Sequence, residues 1–201
     1  MWKRIMTLLI GNTIASLGIT CVIKAGLGVF PGTAANIAIS NWLGISIGMA
    51  SMLVETLMLA IATYKGEGIG ITAIVNATYG SLMIDVFNAI LPSHPIMVVG
   101  LVLLPLGWSF MGRVALADTG SNVLTNALVK QTGKSISTIR NMIETSFLII
   151  GLLGARNQIT ILTFILSFGF GYLMSFVYKL VHYNPTEIKH KFIIKRKIKS
   201  A

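Results

Sequence analysis

Hydrophobic residues run through this chain in long blocks rather than in alternation. Six blocks cover about 5–24, 46–63, 70–91, 96–116, 136–153 and 160–182. Each approaches the ~20 apolar residues that carry a helix across ~30 Å of hydrocarbon. In lipid, backbone polar groups must be satisfied within the structure, which leaves helices or closed barrels. No block alternates polar and apolar positions with period two, so the pattern predicts helices and disfavours a barrel. Two stretches break the blocks. Ala25 to Gly44 reads AGLGVFPGTAANIAISNWLG, and Ala117 to Gly133 reads ADTGSNVLTNALVKQTG. Each opens on glycine and small polar residues, then continues as a short helix-like run.

The two stretches belong to a longer internal recurrence, and repeats decide architecture before any motif does. Ala25 and Gly28 match Ala117 and Gly120, and Gly44-Ile-Ser-Ile matches Gly133-Lys-Ser-Ile. Glu55-Thr56 matches Glu144-Thr145, and Gly80-Ser-Leu-Met matches Gly171-Tyr-Leu-Met. Each copy holds three spanning blocks, an odd number, so the second copy enters the membrane from the opposite face. The expectation is an all-α integral membrane protein of about six transmembrane helices. They form two inverted three-helix repeats, 1–91 and 92–183, followed by a basic tail at 184–201. Each repeat carries one short helix, re-entrant or interfacial. Inverted repeats place transport sites near the midplane, between the copies.

Composition agrees with lipid as the main solvent. The chain has 201 residues, 54% hydrophobic and 11% charged, with a mean hydropathy of +0.80, whereas soluble domains carry about 25% charged residues. The net charge of +10 sits in ends and loops, so it bears on orientation rather than on nucleic acid. Lys3, Arg4, Lys65, Lys130, Lys134 and the tail lysines fall on one side if all six blocks span. Only Lys24 and Arg156 lie near the other. Basic loops stay cytoplasmic, which predicts a bacterial cytoplasmic-membrane protein with both termini inside. The tail HKFIIKRKIKS would meet anionic lipid headgroups, at ~1 kcal/mol per basic residue near the surface. The single cysteine, Cys21, excludes an intrachain disulfide. The small size for a transporter makes a homodimer an expectation beside the monomer.

Candidate chemistry gathers at the two short stretches and at the acidic residues inside the blocks. Gly28, Pro31, Gly32, Thr33 and Asn36 in the first stretch, and Ser121, Asn122 and Asn126 in the second, are candidate substrate contacts. Glycine frees the backbone, proline suits a helix start, and Thr33, Ser121 and Asn122 are capping types. Helix N-termini hold anions through free N–H groups and the dipole. Two interfacial helices with turn glycines explain the same residues without a site. Glu55 and Glu144 fall mid-block, where an ionised carboxylate costs at least ~2.5–3.5 kcal/mol and must find a partner. Arg140 precedes Glu144 by one helical turn, which suggests a structural ion pair. Ser51 stands at the equivalent place before Glu55. That makes Glu55 the candidate proton-coupling group, with a hydrogen-bonded neutral acid or a cross-pair to Arg113 or Arg140 as the plainer explanations. Lys24 and Asp85 form a second structural ion-pair candidate.

No histidine pair has metal spacing, no serine or cysteine has a base beside it, and QTGKS lacks the upstream glycine and strand of a phosphate loop. Neither enzyme activity nor a cofactor or metal is expected. The segments GLGVFPGTAANIA, LGISIGMASMLVETLMLAI and GIGITAIVNATYGSLMIDVF resemble bacterial membrane proteins of the YczE/YyaS/YitT group. The resemblance lies in an early G-L-G-x-x-P, a following G-x-S-x-G and a late aspartate, and it spans most of 5–180. Gly32 departs from the aromatic residue that many members carry after the proline. The resemblance implies a multi-pass membrane fold and no particular substrate. Three functional readings follow: a small secondary transporter or exporter of an anionic or zwitterionic solute with Glu55 coupling protons, a lipid or lipid-carrier translocase, or a non-transporting accessory subunit.

Overall fold

The computed structural model describes residues 2–92, 97–113, 119–167 and 176. The described residues form helices joined by short loops, with no strand among them. The elements are α1 (Trp2–Ala25), α2 (Pro31–Leu43), α3 (Ile47–Tyr64), α4 (Ile71–Val75), a π-helical turn (Asn76–Gly80), α5 (Ser81–Ile90), α6 (Met97–Arg113), α7 (Gly120–Thr132) and α8 (Ile136–Gly154). A short 3-10 turn (Arg156–Gln158) follows, and 161–167 is again helical. Among the described residues, four helices are long and apolar enough to cross a bilayer: Ile5–Ala25, Ile47–Tyr64, Ile71–Ile90 and Ile136–Gly154. Met97–Met111 is a shorter apolar helix. The rest of the sixth block, Gly171 and the basic tail lie outside the described residues.

Local chemistry sets the ends. Pro31 opens α2, where its missing N–H costs nothing and its fixed φ favours the helix. Thr119 caps α7 by accepting the N–H of Asn122. α2 and α7 each have 13 residues, and each is closed by a glycine in the left-handed region, Gly44 at φ 64° and Gly133 at φ 68°. Two residues later a serine starts the next helix in both places. Ser46 accepts the N–H of Met49, and Ser135 accepts that of Thr138. Such caps satisfy the orphan donors of a first turn.

Packing follows small residues. α1 lies against α6, antiparallel, through two glycines on each helix. A Cβ on Gly11 would fall 2.8 Å from the Gly107 carbonyl oxygen, and one on Gly18 would fall 2.6 Å from the Leu104 nitrogen. Only glycine permits backbones to approach so closely. α2 lies along α8 in the same direction: Gly32 meets Phe147, Gly151 meets Ala34, and Gly154 meets Ala38. α7 lies along α3, with Gly120 against Glu55 and Met58. The short helices therefore run beside longer ones, starting near their middles, rather than across their ends. Val123, Leu124 and Ala127 of α7 share a core with Met58, Leu59 and Ala62 of α3. Outward faces are apolar too: Leu53, Leu57 and Ile61 recur along one exposed side of α3. A helix that is apolar both inward and outward fits a surrounding of lipid.

Candidate functional site

Glu55 sits on the third turn of α3, half-buried, on the side that α7 covers. Its Oε2 accepts the N–H of Gly120 at 2.5 Å. Gly120 is the first residue of α7, so the carboxylate closes the N-terminus of that short helix from outside. Two donors of the α7 first turn are now assigned: Gly120 to Glu55, and Asn122 to the Thr119 hydroxyl. A charge-assisted bond at a positive dipole end is the arrangement an apolar span needs to hold a carboxylate. The site requires glycine as well. A Cβ at Gly120 would lie 2.6 Å from Glu55 Oε2 and 2.8 Å from the Glu55 carbonyl oxygen.

The sequence places no charge one turn before Glu55, where Ser51 stands, and leaves another helix to supply the partner. The partner is a backbone amide on another element, which no side-chain pattern announces. The expected cross-pair with Arg140 is not formed among the described residues. The Arg113 side chain lies outside the described residues, and Arg140 is exposed on α8.

The second glutamate is placed differently. Glu144 is half-buried on α8, one turn before Phe147, which covers Gly32 of α2. Arg140 makes no ion-pair contact with it. Among the described residues the one ion pair is Lys130–Glu67, at 2.6 Å, joining α7 to the segment after α3. Arg140 acts on Glu144 as a neighbouring charge one turn away rather than through a close ion pair. The first short helix also begins with Pro31, whose nitrogen carries no hydrogen. Where α7 offers Gly120 N–H to a carboxylate, α2 offers none at its first position.

The expected Lys24–Asp85 pair is corrected as well. Asp85 on α5 accepts the Ser46 hydroxyl at 2.5 Å and the Gly48 N–H at 2.7 Å. It completes the N-terminus of α3, where the aspartate finds one hydroxyl and one amide donor. Gly48 is buried against it.

The other predicted residues lie on the two short helices and on the loop before the first. Gly28 (φ 129°) is packed against Thr160 and Thr163, and the Thr160 hydroxyl donates to the Leu27 carbonyl at 2.7 Å. Val29 N–H donates to the Gln158 carbonyl at 3.2 Å. Pro31 is buried, while Gly32, Thr33, Asn36, Ser121 and Asn122 are half-buried and Asn126 is exposed. The carboxamide oxygen of Asn36 is buried and accepts no hydrogen bond.

One polar region escaped the sequence reading. Asn12, Ser16 and Thr20 lie on one buried face of α1, four residues apart. Thr13 and Tyr79 share a hydroxyl hydrogen bond at 2.9 Å, and Ser16 donates to the Gly80 carbonyl at 2.8 Å. The four-residue spacing was the available signal, and it marks one helix face. An apolar open groove lies between α3 and the α4 side, lined by Thr56, Leu59, Ile69 and Ile74. No group of three metal-ligating side chains occurs among the described residues.

Comparison with curated proteins and with solved structures finds no match. A family model does match, over residues 2–179. The chain therefore belongs to this family, a family of unknown function described as DUF6198.

Proposed function

We propose that the protein is a small secondary transporter of the cell membrane for an anionic or zwitterionic solute, with Glu55 as the proton-coupling group. The observation that carries this reading is the Glu55–Gly120 bond. A carboxylate in the middle of an apolar helix holds the N-terminus of a short helix that starts at the same depth. That N-terminus is an anion site already filled by the protein's own carboxylate. When Glu55 takes a proton it stops competing for the amide, and a solute carboxylate or phosphate takes its place. When Glu55 loses the proton, it displaces the solute. Proton and solute thus bind and leave together, while the Glu55 carboxylate and the solute alternate at one helix end.

Two further features support it. The packing exchanges partners between halves: α2 lies on α8 and α7 on α3, while α1 and α6 cross each other. Two inverted three-helix repeats produce that exchange, with two re-entrant short helices approaching from opposite faces. The resemblance of Gly26–Ala38 and its following segments to YczE/YyaS/YitT membrane proteins points the same way. The basic residues at 3, 4, 65, 130 and 134 then face the cytoplasm, with the tail near anionic lipid.

The test starts with purified protein and a defined panel: phosphate, sulfate, lactate, glutamate and glycine. A solute that raises the unfolding temperature is loaded into proteoliposomes, and its flux is followed across imposed pH gradients. The reading predicts flux that responds to pH in wild type and not in Glu55→Gln. A panel with no stabilising solute and no flux overturns it. The apolar groove beside Thr56 favours a second reading, a lipid translocase. Movement of a fluorescent phospholipid between leaflets, with no solute flux, is its signature.

A further inference from the structure

We infer that the π-helical turn Asn76–Gly80 is a register hinge, which holds Asp85 on the N-terminus of α3 in this state and releases it in another. The helix from Ile71 to Ile90 contains no proline, and its interruption runs up to the Gly80-Ser81 pair. There it meets the polar face of α1. The Thr13 hydroxyl meets Tyr79 at 2.9 Å, and the Ser16 hydroxyl takes the Gly80 carbonyl at 2.8 Å. Gly80 lets Asn12 lie close, since a Cβ would fall 2.6 Å from Asn12 Oδ1 and 3.3 Å from Asn76 Oδ1 and push the Asn12 carboxamide aside. π-turns inside α-helices recur at functional positions.

Both α1 and α3 hold the helix around the turn, but the carboxylate contact is made to α3 alone. At the turn the hydrogen bonds go to α1, while Ala77 shares a core with Met58 and Leu59 of α3. Beyond it, the Thr20 hydroxyl of α1 reaches the Ile84 carbonyl at 3.5 Å, Ser81 donates to the Ser51 hydroxyl at 3.3 Å, and Asp85 holds Ser46 and Gly48 at the start of α3. A π-turn holds one extra residue, and each residue of an α-helix turns the chain by about 100°. If the turn moves along α5 past Asp85, the carboxylate swings off the Gly48 amide, while the ends of the helix stay where they are.

One atom shows that the described register leaves a bond unmade. Asn12 is 1% exposed, and its Nδ2 donates to nothing. It stands beside the turn, where a shifted register presents a different carbonyl. The described state thus satisfies Asp85 and leaves Asn12 open, and the shifted state trades the two. This inference does not depend on what the protein transports.

Hydrogen exchange of the full chain in lipid nanodiscs, read by mass spectrometry over 76–85, tests the hinge. Asp85→Asn weakens the clamp on the described register and is expected to speed exchange there roughly tenfold, the factor for one charge-assisted bond. Asn12→Ala removes the open donor and is expected to slow exchange there roughly fivefold. Peptides from α6 serve as the reference and should not move. Unchanged exchange over 76–85 in both variants overturns the hinge. So does faster exchange in Asn12→Ala, which is the mark of lost packing alone.

Discussion

Gly120→Ala is the perturbation that separates a working carboxylate–amide contact from a coincidence of packing. The new Cβ would fall 2.6 Å from Glu55 Oε2 and 2.8 Å from the Glu55 carbonyl oxygen. The first is the tip of a side chain and can turn aside. The second is helix backbone and cannot, so α7 must shift away from α3. Losing a hydrogen bond to a charged group costs about 1.5–3 kcal/mol, and overpacking a tight contact costs about 1–3 kcal/mol. Alanine returns up to about 1 kcal/mol over glycine in a helix. The net expectation is a loss of about 2–4 kcal/mol, read as a lower unfolding temperature in detergent. Ser121→Ala, one residue on, should stay within about 0.5 kcal/mol, because no hydrogen bond of its hydroxyl is formed among the described residues. If the two residues act through one bond, Glu55→Gln and Gly120→Ala together cost less than their separate losses added. A Gly120→Ala protein as stable as wild type refutes the reasoning.

Gly18→Ala presses a methyl onto the Leu104 nitrogen and the Gly100 carbonyl, 2.6 Å and 3.0 Å away. A net loss of about 1–2 kcal/mol is expected, measured by thermal unfolding. Gly133→Ala meets no neighbouring atom within 4 Å but holds φ 68°, so it should cost about 1 kcal/mol for its backbone alone. Asp85→Ala removes both acceptor bonds at the start of α3 and should lower stability by about 2–4 kcal/mol, with Asp85→Asn recovering part of it. Lys130→Ala breaks a pair whose lysine is 69% exposed and should change stability by less than about 1 kcal/mol. Infrared difference spectra on acidification should show a carboxylic-acid carbonyl band that Glu55→Gln lacks. The same band in both proteins excludes Glu55 as the protonating group.

The hydrophobic blocks made the helices legible, because a continuous apolar run near the span length has few other solutions. The limits of α2 and α7 were legible too, since Pro31, Gly44, Thr119 and Gly133 act through local backbone preferences. What could not be read was which backbone amides the carboxylates would find. Glu55 and Asp85 both end on the first turns of other helices, and an amide leaves no mark in a side-chain pattern. The one-turn spacing of Arg140 and Glu144 brings their charges within reach of each other, without a close ion-pair contact. The glycine crossing of α1 and α6 was written as Gly11 and Gly18 against Gly100 and Gly107, with equal spacing in both helices. In a chain holding 20 glycines, only the packing distinguishes those four from the rest.

The transport account rests on a proton moving with the solute through Glu55. The direct measurement gives wild-type and Glu55→Gln proteoliposomes the same inward gradient of a stabilising solute, with a pH-sensitive dye inside. The account predicts that solute entry acidifies the wild-type lumen and leaves the Glu55→Gln lumen unchanged. Equal acidification in both, or solute entry in wild type with no change of lumen pH, contradicts it.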